Sequence, residues 1–119
     1  MRALAAAIFL CLSFIPSHAK PAGFIPGRLI CAVNVNAELA RRGIKGTGSA
    51  LAKSFLKWGR SSQPVPGAVA VYNRGGTKGH VAIVSRVEGG TVYVWNPSRR
   101  GWREQVYRKQ AIAYRVASW

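Results

Sequence analysis

Residues 80–96 of this 119-residue chain read HVAIVSRVEGGTVYVWN and predict the centre of a β-sheet. Two runs rich in β-branched and aromatic residues, 80–86 and 91–95, lie on either side of Gly89-Gly90. Such runs, joined by a short loop that contains glycine, predict an antiparallel β-hairpin. His80 begins the first strand of this hairpin and Asn96 follows the second, so both lie at its open end.

The predicted sheet extends beyond the hairpin. Residues 68–72 and 111–116 have the composition of strands, and Val106 and Tyr107 are candidates for a fifth. Residues 60–67 are rich in turn residues and are predicted as a loop.

Two helices are predicted before the sheet. Residues 31–42 place Ala32, Val35 and Leu39 on one helical stripe, and Gly43 follows as a helix stop. A second helix is predicted over residues 49–58. Two helices followed by adjacent antiparallel strands predict an α+β fold with the helices packed on one face of the sheet.

The N-terminus has the pattern of a secretory leader. Arg2 supplies a positive charge, residues 3–15 form a compact apolar run, and Ser17-His18-Ala19 fits a small-x-small cleavage site. We therefore expect a signal peptide over residues 1–19, a single domain over 20–119, and a periplasmic or secreted protein. A membrane anchor or a buried helix is the alternative, and Pro16 argues against it.

Few reactive groups remain once the leader is removed. Residues 20–119 contain one cysteine, Cys31, one histidine, His80, and no aspartate. A zinc site needs about three or four ligands, so we expect no metal, and we also expect no cofactor. One cysteine cannot form an internal disulfide. A serine triad is disfavoured, because the sequence has no Gly-x-Ser-x-Gly motif.

Cys31 is the candidate nucleophile. It lies in or beside the first turn of the predicted helix, where free backbone N–H groups and the helix dipole favour a thiolate. His80 is the candidate base, because a thiol nucleophile needs an imidazole partner. The alternatives are that Cys31 is a buried apolar residue or an intermolecular linker, and that His80 is structural.

Asn96 is the candidate third residue, which would hold the imidazole in one tautomer. A three-residue hairpin loop places Asn96 on the same face of the sheet as His80, whereas a two-residue turn places it on the opposite face. The alternative is that Asn96-Pro97 is only a turn that ends the strand.

Five segments occur in a fixed order along the chain: Cys31 at a helix start, residues 46–52, Trp58-Gly59, Pro64-Val65-Pro66-Gly67 and Gly79-His80-Val81. Together they resemble the CHAP and NlpC-like cysteine peptidases, which are papain-like cell-wall hydrolases. The resemblance covers nearly all of residues 28–116. It implies a papain-like α+β fold and cleavage of amide or peptide bonds in peptidoglycan, with Cys31 as nucleophile, His80 as base and Asn96 as polar third member. The sequence departs from the family pattern at Ile30, Ala68 and Pro97.

The charge of the chain indicates an anionic partner. Its formal net charge is +15, while a hydrophobic fraction of 49% excludes a disordered basic tail. We expect the partner to be peptidoglycan or another anionic cell-envelope polymer, and the protein to be a monomer.

Two non-catalytic alternatives remain, both of them cationic binding proteins. One binds the cell wall without cleaving it. The other binds single-stranded nucleic acid, which an export signal argues against. The residues that suggest nucleic acid are Arg99, Arg100, Arg103 and Arg108, which lie among Trp95, Trp102 and Tyr107.

Overall fold

A computed structural model describes residues 17–27, 30–76 and 78–118, so most of the predicted leader lies outside the described residues. The described chain forms an α-helix, a 3-10 helix and a six-stranded antiparallel sheet. The predicted α+β fold is confirmed. None of the helices in these ranges is long and apolar enough to cross a membrane.

Helix α1 spans Ile30–Arg41 and matches the first predicted helix. Ala32, Val35 and Leu39 are buried, as their helical spacing predicts. Gly43 follows in the left-handed region, with φ at 76°, a conformation that only glycine adopts without strain.

The second predicted helix is shorter than expected, because only Ala52–Lys57 forms a 3-10 helix. The residues just before it form local turns through their side chains. The hydroxyl of Thr47 accepts from the N–H of Ser49, and the hydroxyl of Ser49 accepts from the N–H of Leu51. Leu51 is extended, with φ at −86° and ψ at 125°, so the helix begins only after it.

The six strands lie in the order β1-β6-β2-β3-β4-β5, and all neighbours are antiparallel. Strand β1 lies within the segment that was predicted as a loop, and β5 precedes the predicted Val106 and Tyr107. The strands are β1 Arg60–Ser61, β2 Val69–Asn73, β3 Gly79–Glu88, β4 Thr91–Ser98, β5 Gly101–Gln105 and β6 Ala113–Val116.

Strand β4 continues through Pro97, so the reading of Asn96-Pro97 as a terminal turn is wrong. The β3–β4 pairing ends at Ile83 and Trp95, whereas the β4–β5 pairing continues to Ser98. Pro97 is therefore paired only with β5, so its missing N–H removes no hydrogen bond from the ladder with β3.

The sheet has two buried faces with different coverings. The helix-covered face packs against α1 and the 3-10 helix, while the tyrosine face includes Tyr72 and packs against Tyr107 and Tyr114. The helix-covered face presents Val69, Val71, Val81 and Ile83, and the tyrosine face presents Ala68, Ala70, Ala82, Val84 and Val94.

The turn between β3 and β4 has two residues, so the three-residue loop is wrong. Glu88 pairs with Thr91, which leaves Gly89 and Gly90 as the turn. Their φ angles are 54° and 83°, and positive values at both positions are typical of a type I′ hairpin turn.

A β-bulge in β3 changes the face of the sheet on which Asn96 lies after this short turn. Arg86 pairs with Tyr93 and Val84 pairs with Val94, so Ser85 is an extra residue in β3. A one-residue shift in register exchanges the two faces of a strand. Beyond the bulge, Asn96 therefore lies on the tyrosine face, which is also the face of His80.

Candidate active site

His80 and Asn96 form a direct side-chain contact across two neighbouring strands. Nε2 of His80 is hydrogen-bonded to Oδ1 of Asn96. An amide oxygen only accepts, so Nε2 donates and carries a proton. In the neutral ring the lone pair is then on Nδ1, and Nδ1 is the nitrogen that can act as a base.

Two aromatic rings pack against the imidazole. His80 is 3% exposed, and the ring of Tyr107 stacks on it at 4.9 Å between centroids, with an interplanar angle of 9°. Tyr72, the cross-strand partner of His80, lies at 6.0 Å. The phenol oxygen of Tyr107 accepts hydrogen bonds from Nη2 and Nε of Arg74, at 3.0 and 3.3 Å. The Tyr107 ring is therefore fixed by hydrogen bonds at its phenol oxygen and by stacking against the imidazole.

Burial keeps His80 uncharged. Desolvation lowers its pKa to about 4, since a buried imidazolium loses its hydration; the Asn96 contact opposes this shift and the nearby Arg74 charge adds to it. At neutral pH the imidazole is therefore neutral, with Nδ1 available to accept a proton.

Cys31 lies in the first turn of α1, is half-buried and is not part of a disulfide. Its side chain packs against the apolar cluster of the helix-covered face, which includes Val81. The helix start is held from the preceding segment: Asn34 accepts from the N–H of Ile25, and its amide donates to the carbonyls of Ile25 and Ile30.

The direction of α1 places Cys31 near the His80 end of β3. Glu38, in the last turns of α1, lies 3.7 Å from His18, and the N–H of His18 donates to the carbonyl of Ser85. The C-terminal half of α1 is therefore beside the bulge, at the far end of β3 from His80. Cys31, two turns earlier in the helix, lies toward the start of β3.

The structure brings His80 and Asn96 together but keeps the thiol apart from them. His80 points to the tyrosine face, whereas Cys31 packs on the helix-covered face. No hydrogen bond among the described residues joins Cys31 to His80. The two groups share one end of the sheet and lie on opposite sides of it.

Sequence reasoning missed the roles of Tyr107 and Arg74. The sequence predicts Tyr107 as a strand residue or a stacking platform, but nothing near it in sequence indicates that it covers His80. Arg74 lies in the β2–β3 connection, and its contact with Tyr107 depends on how the C-terminal segment returns to the sheet.

The two tryptophans of the predicted nucleic-acid surface pack on the other face of the sheet and donate hydrogen bonds there. Trp102 is 5% exposed and donates from Nε1 to the carbonyl of Gly23 at 2.7 Å. Trp95 donates from Nε1 to the carbonyl of His18, also at 2.7 Å. Both pack on the helix-covered face, away from Arg103, so they are not stacking platforms beside the arginines.

Other parts of the described surface offer little for chemistry. Two depressions of about 300 and 340 Å³ lie beside Trp58, and neither contains Cys31 or His80. Within residues 17–27, 30–76 and 78–118, no three histidine, cysteine or acidic side chains are close enough to hold a metal ion.

Comparison with known families gives one match. The family model described as CHAP domain matches residues 11–97. The matched region contains Cys31, His80 and Asn96, and it begins within the predicted leader. No significant match was found among curated proteins or among solved structures.

Proposed function

Because this chain belongs to the CHAP family, whose members are cysteine peptidases and amidases, we propose that it hydrolyses amide bonds in peptidoglycan with Cys31, His80 and Asn96. A CHAP domain implies a cysteine amidohydrolase that acts on peptidoglycan. The observation that carries the assignment of residues is the hydrogen bond between His80 and Asn96, which leaves Nδ1 of a neutral imidazole free.

In the proposed reaction, Nδ1 of His80 takes the proton of the Cys31 thiol and the sulfur attacks the amide carbonyl. The C–N bond breaks as His80 returns the proton to the leaving amine, and a thioester to Cys31 forms. A water molecule, deprotonated by His80, then releases the product carboxylate and restores the thiol. Asn96 holds Nε2–H throughout, so the base is always Nδ1.

Proton transfer needs the thiol within hydrogen-bonding reach of Nδ1. The described arrangement has Cys31 and His80 on opposite faces of the sheet. The proposal therefore includes a shift of the first turn of α1 or of the start of β3 that brings the sulfur to the imidazole.

A second candidate is a cationic protein of the same fold that binds the cell wall without cleaving it. The observation that favours it is the separation of Cys31 from His80. In that case His80 is a structural residue, packed against Tyr107 and Tyr72.

A zymogram with purified protein against several peptidoglycans separates these two functions. We expect clearing by the wild-type protein and none by Cys31→Ala or His80→Ala. Val33→Ala is the matched control, because it shortens a half-buried side chain in the same part of α1 without changing the thiol. Equal clearing by wild type and Cys31→Ala would rule out cysteine catalysis.

The export of the protein is also a proposal. We infer a signal peptide over residues 1–19, a mature domain over 20–119, and a periplasmic or secreted location. The apolar run, Pro16 and the small residues at 17 and 19 support it. The peptidoglycan partner supports the same location.

A further inference from the structure

We propose that Arg74, Arg103 and Lys109 form a cationic rim beside His80 and Asn96 that binds a free carboxylate of an acidic peptide in the substrate. This inference rests on the proposed function, because it takes the peptide part of peptidoglycan as the ligand. It goes further by assigning a recognition site and the chemical group that the site recognises.

The three cations come from different parts of the chain and lie toward the same end of the sheet. Arg103 is the direct cross-strand partner of Asn96, so both side chains lie on the tyrosine face. Arg74 donates a hydrogen bond to the phenol oxygen of Tyr107, and the Tyr107 ring stacks on His80. Nζ of Lys109 donates to the carbonyl of Asn73, at the end of β2, at 3.3 Å. All three cations are exposed.

None of the three acidic side chains of the sequence neutralises this rim. The sequence has three acidic side chains and no aspartate, and each of the three is engaged elsewhere. Glu38 is buried on α1 and paired with Arg41. Glu88 lies 2.5 Å from Nη1 of Arg86, near the hairpin turn.

The third acid, Glu104, is next to Arg103 in sequence but lies on the other face. Its cross-strand partner is Trp95, which packs on the helix-covered face. Its Oε2 accepts from the hydroxyl of Ser85 at 2.5 Å and from Nε of Arg86 at 3.2 Å. All three acids are thus held by Arg41, Arg86 and Ser85, while the rim keeps its positive charge unbalanced.

The chemistry of the rim fits a carboxylate. A guanidinium presents paired N–H donors in the geometry of a carboxylate, and such charge-assisted bonds are stronger than neutral ones. Two guanidinium groups and an ammonium around His80 and Asn96 would orient a peptide by its acidic group, with a neighbouring amide placed at the imidazole.

Binding measured without turnover tests this proposal. The full chain carrying Cys31→Ala is titrated with two fluorescent peptidoglycan fragments, identical except that the stem-peptide carboxylates are free in one and amidated in the other. We expect the free-acid fragment to bind roughly tenfold more tightly, and its affinity to fall with added salt. Arg103→Gln should reduce this preference severalfold.

Arg60→Gln is the matched control, because it removes the same charge from an exposed site on β1, at the opposite edge of the sheet. It should keep the preference for the free acid. Equal affinity for the two fragments, or an equal loss in Arg60→Gln and Arg103→Gln, would overturn the proposal.

Single-stranded DNA of matched length distinguishes a carboxylate site from a phosphate site. Tighter binding of DNA than of the acidic fragment, with the same dependence on Arg103, would also overturn the proposal. The result is independent of catalysis: an inactive wild-type protein would contradict the proposed function and leave the carboxylate preference standing. An active protein without that preference would support the proposed function and contradict the carboxylate site.

Discussion

The ring of Tyr107 lies parallel to the imidazole of His80, with an interplanar angle of 9° and 4.9 Å between centroids. Arg74 holds the phenol of Tyr107 from one side, and Asn96 holds Nε2 of His80 from the other. Residues from β4, from the β2–β3 connection and from the segment after β5 therefore set the orientation and the burial of one side chain.

Removing Tyr107 should raise the pKa of His80. Burial is the main cause of the low value, so Tyr107→Ala, which admits water to the ring, should move the pKa from about 4 toward 6.5. Tyr107→Phe keeps the stacked ring and should leave the pKa nearly unchanged. Proton NMR titration of the imidazole measures both, and an unchanged pKa in Tyr107→Ala would show that other groups bury His80.

The stability of the protein should fall as the pH drops from 6.5 to about 4. In this range the unfolded chain binds a proton at His80 that the folded chain excludes, so the contribution is complete above pH 6.5 and lost by about pH 4. The shift is equivalent to roughly 3 kcal/mol, at about 1.4 kcal/mol per pKa unit.

Urea unfolding at several pH values measures this dependence. His80→Gln should flatten the curve in this range. Burial also lowers the pKa of His18, so in a chain that begins at Ser17 His18→Gln is the matched control and should remove a separate part of the slope. A wild-type curve with the same slope as His80→Gln would contradict a neutral, buried His80.

Asn96→Ala should lower catalysis without abolishing it. General acid–base catalysis is typically worth about 10²–10⁴-fold, and an orienting group accounts for part of that. Asn96→Asp retains an oxygen acceptor for Nε2–H and should keep more activity than Asn96→Ala. Initial rates on a soluble peptidoglycan fragment, measured across pH, check this order. Full activity in Asn96→Ala would show that another group holds the imidazole.

The reactivity of Cys31 tests its coupling to His80. The thiol is half-buried, so iodoacetamide should modify it in the folded protein without denaturant. If the imidazole takes the thiol proton, His80→Ala should slow the modification at neutral pH, whereas His18→Ala, made in a chain that begins at Ser17, should not. Mass spectrometry of the time course measures the rates. Identical rates in wild type and His80→Ala would favour the non-catalytic binding protein.

The exported protein should begin at Lys20, which N-terminal sequencing of material from the periplasm or medium would show. Cleavage there removes His18, whose carbonyl accepts from Nε1 of Trp95 and whose N–H donates to the carbonyl of Ser85. A chain that begins at Ser17 should therefore be more stable than one that begins at Lys20, by about 1–2 kcal/mol for two hydrogen bonds.

Urea unfolding of these two chains measures the difference, and equal stabilities would show that the His18 contacts contribute nothing. Soluble cytoplasmic protein that retains Met1 would contradict the leader itself. The family match begins at residue 11, before the predicted cleavage site. Sequencing therefore also shows whether the first matched residues remain in the exported protein.

Local patterns in the sequence were sufficient for most of the architecture. The apolar stripe of Ala32, Val35 and Leu39 predicts α1, and the β-branched runs on either side of Gly89-Gly90 predict the central hairpin. These predictions hold because helix and strand periods are properties of consecutive residues, and burial of one face follows from the same residues. The shorter second helix shows the limit, since Leu51 is extended and the helix begins only at Ala52.

Tertiary structure decided which face each candidate residue occupies. A two-residue turn alone would have separated Asn96 from His80, and the bulge at Ser85 reunites them. Two distant contacts engage the bulged residue: its hydroxyl donates to Glu104 and its carbonyl accepts from His18. Because a one-residue shift exchanges the faces of a strand, the pairing of His80 with Asn96 and its separation from Cys31 depend on contacts that no local pattern contains.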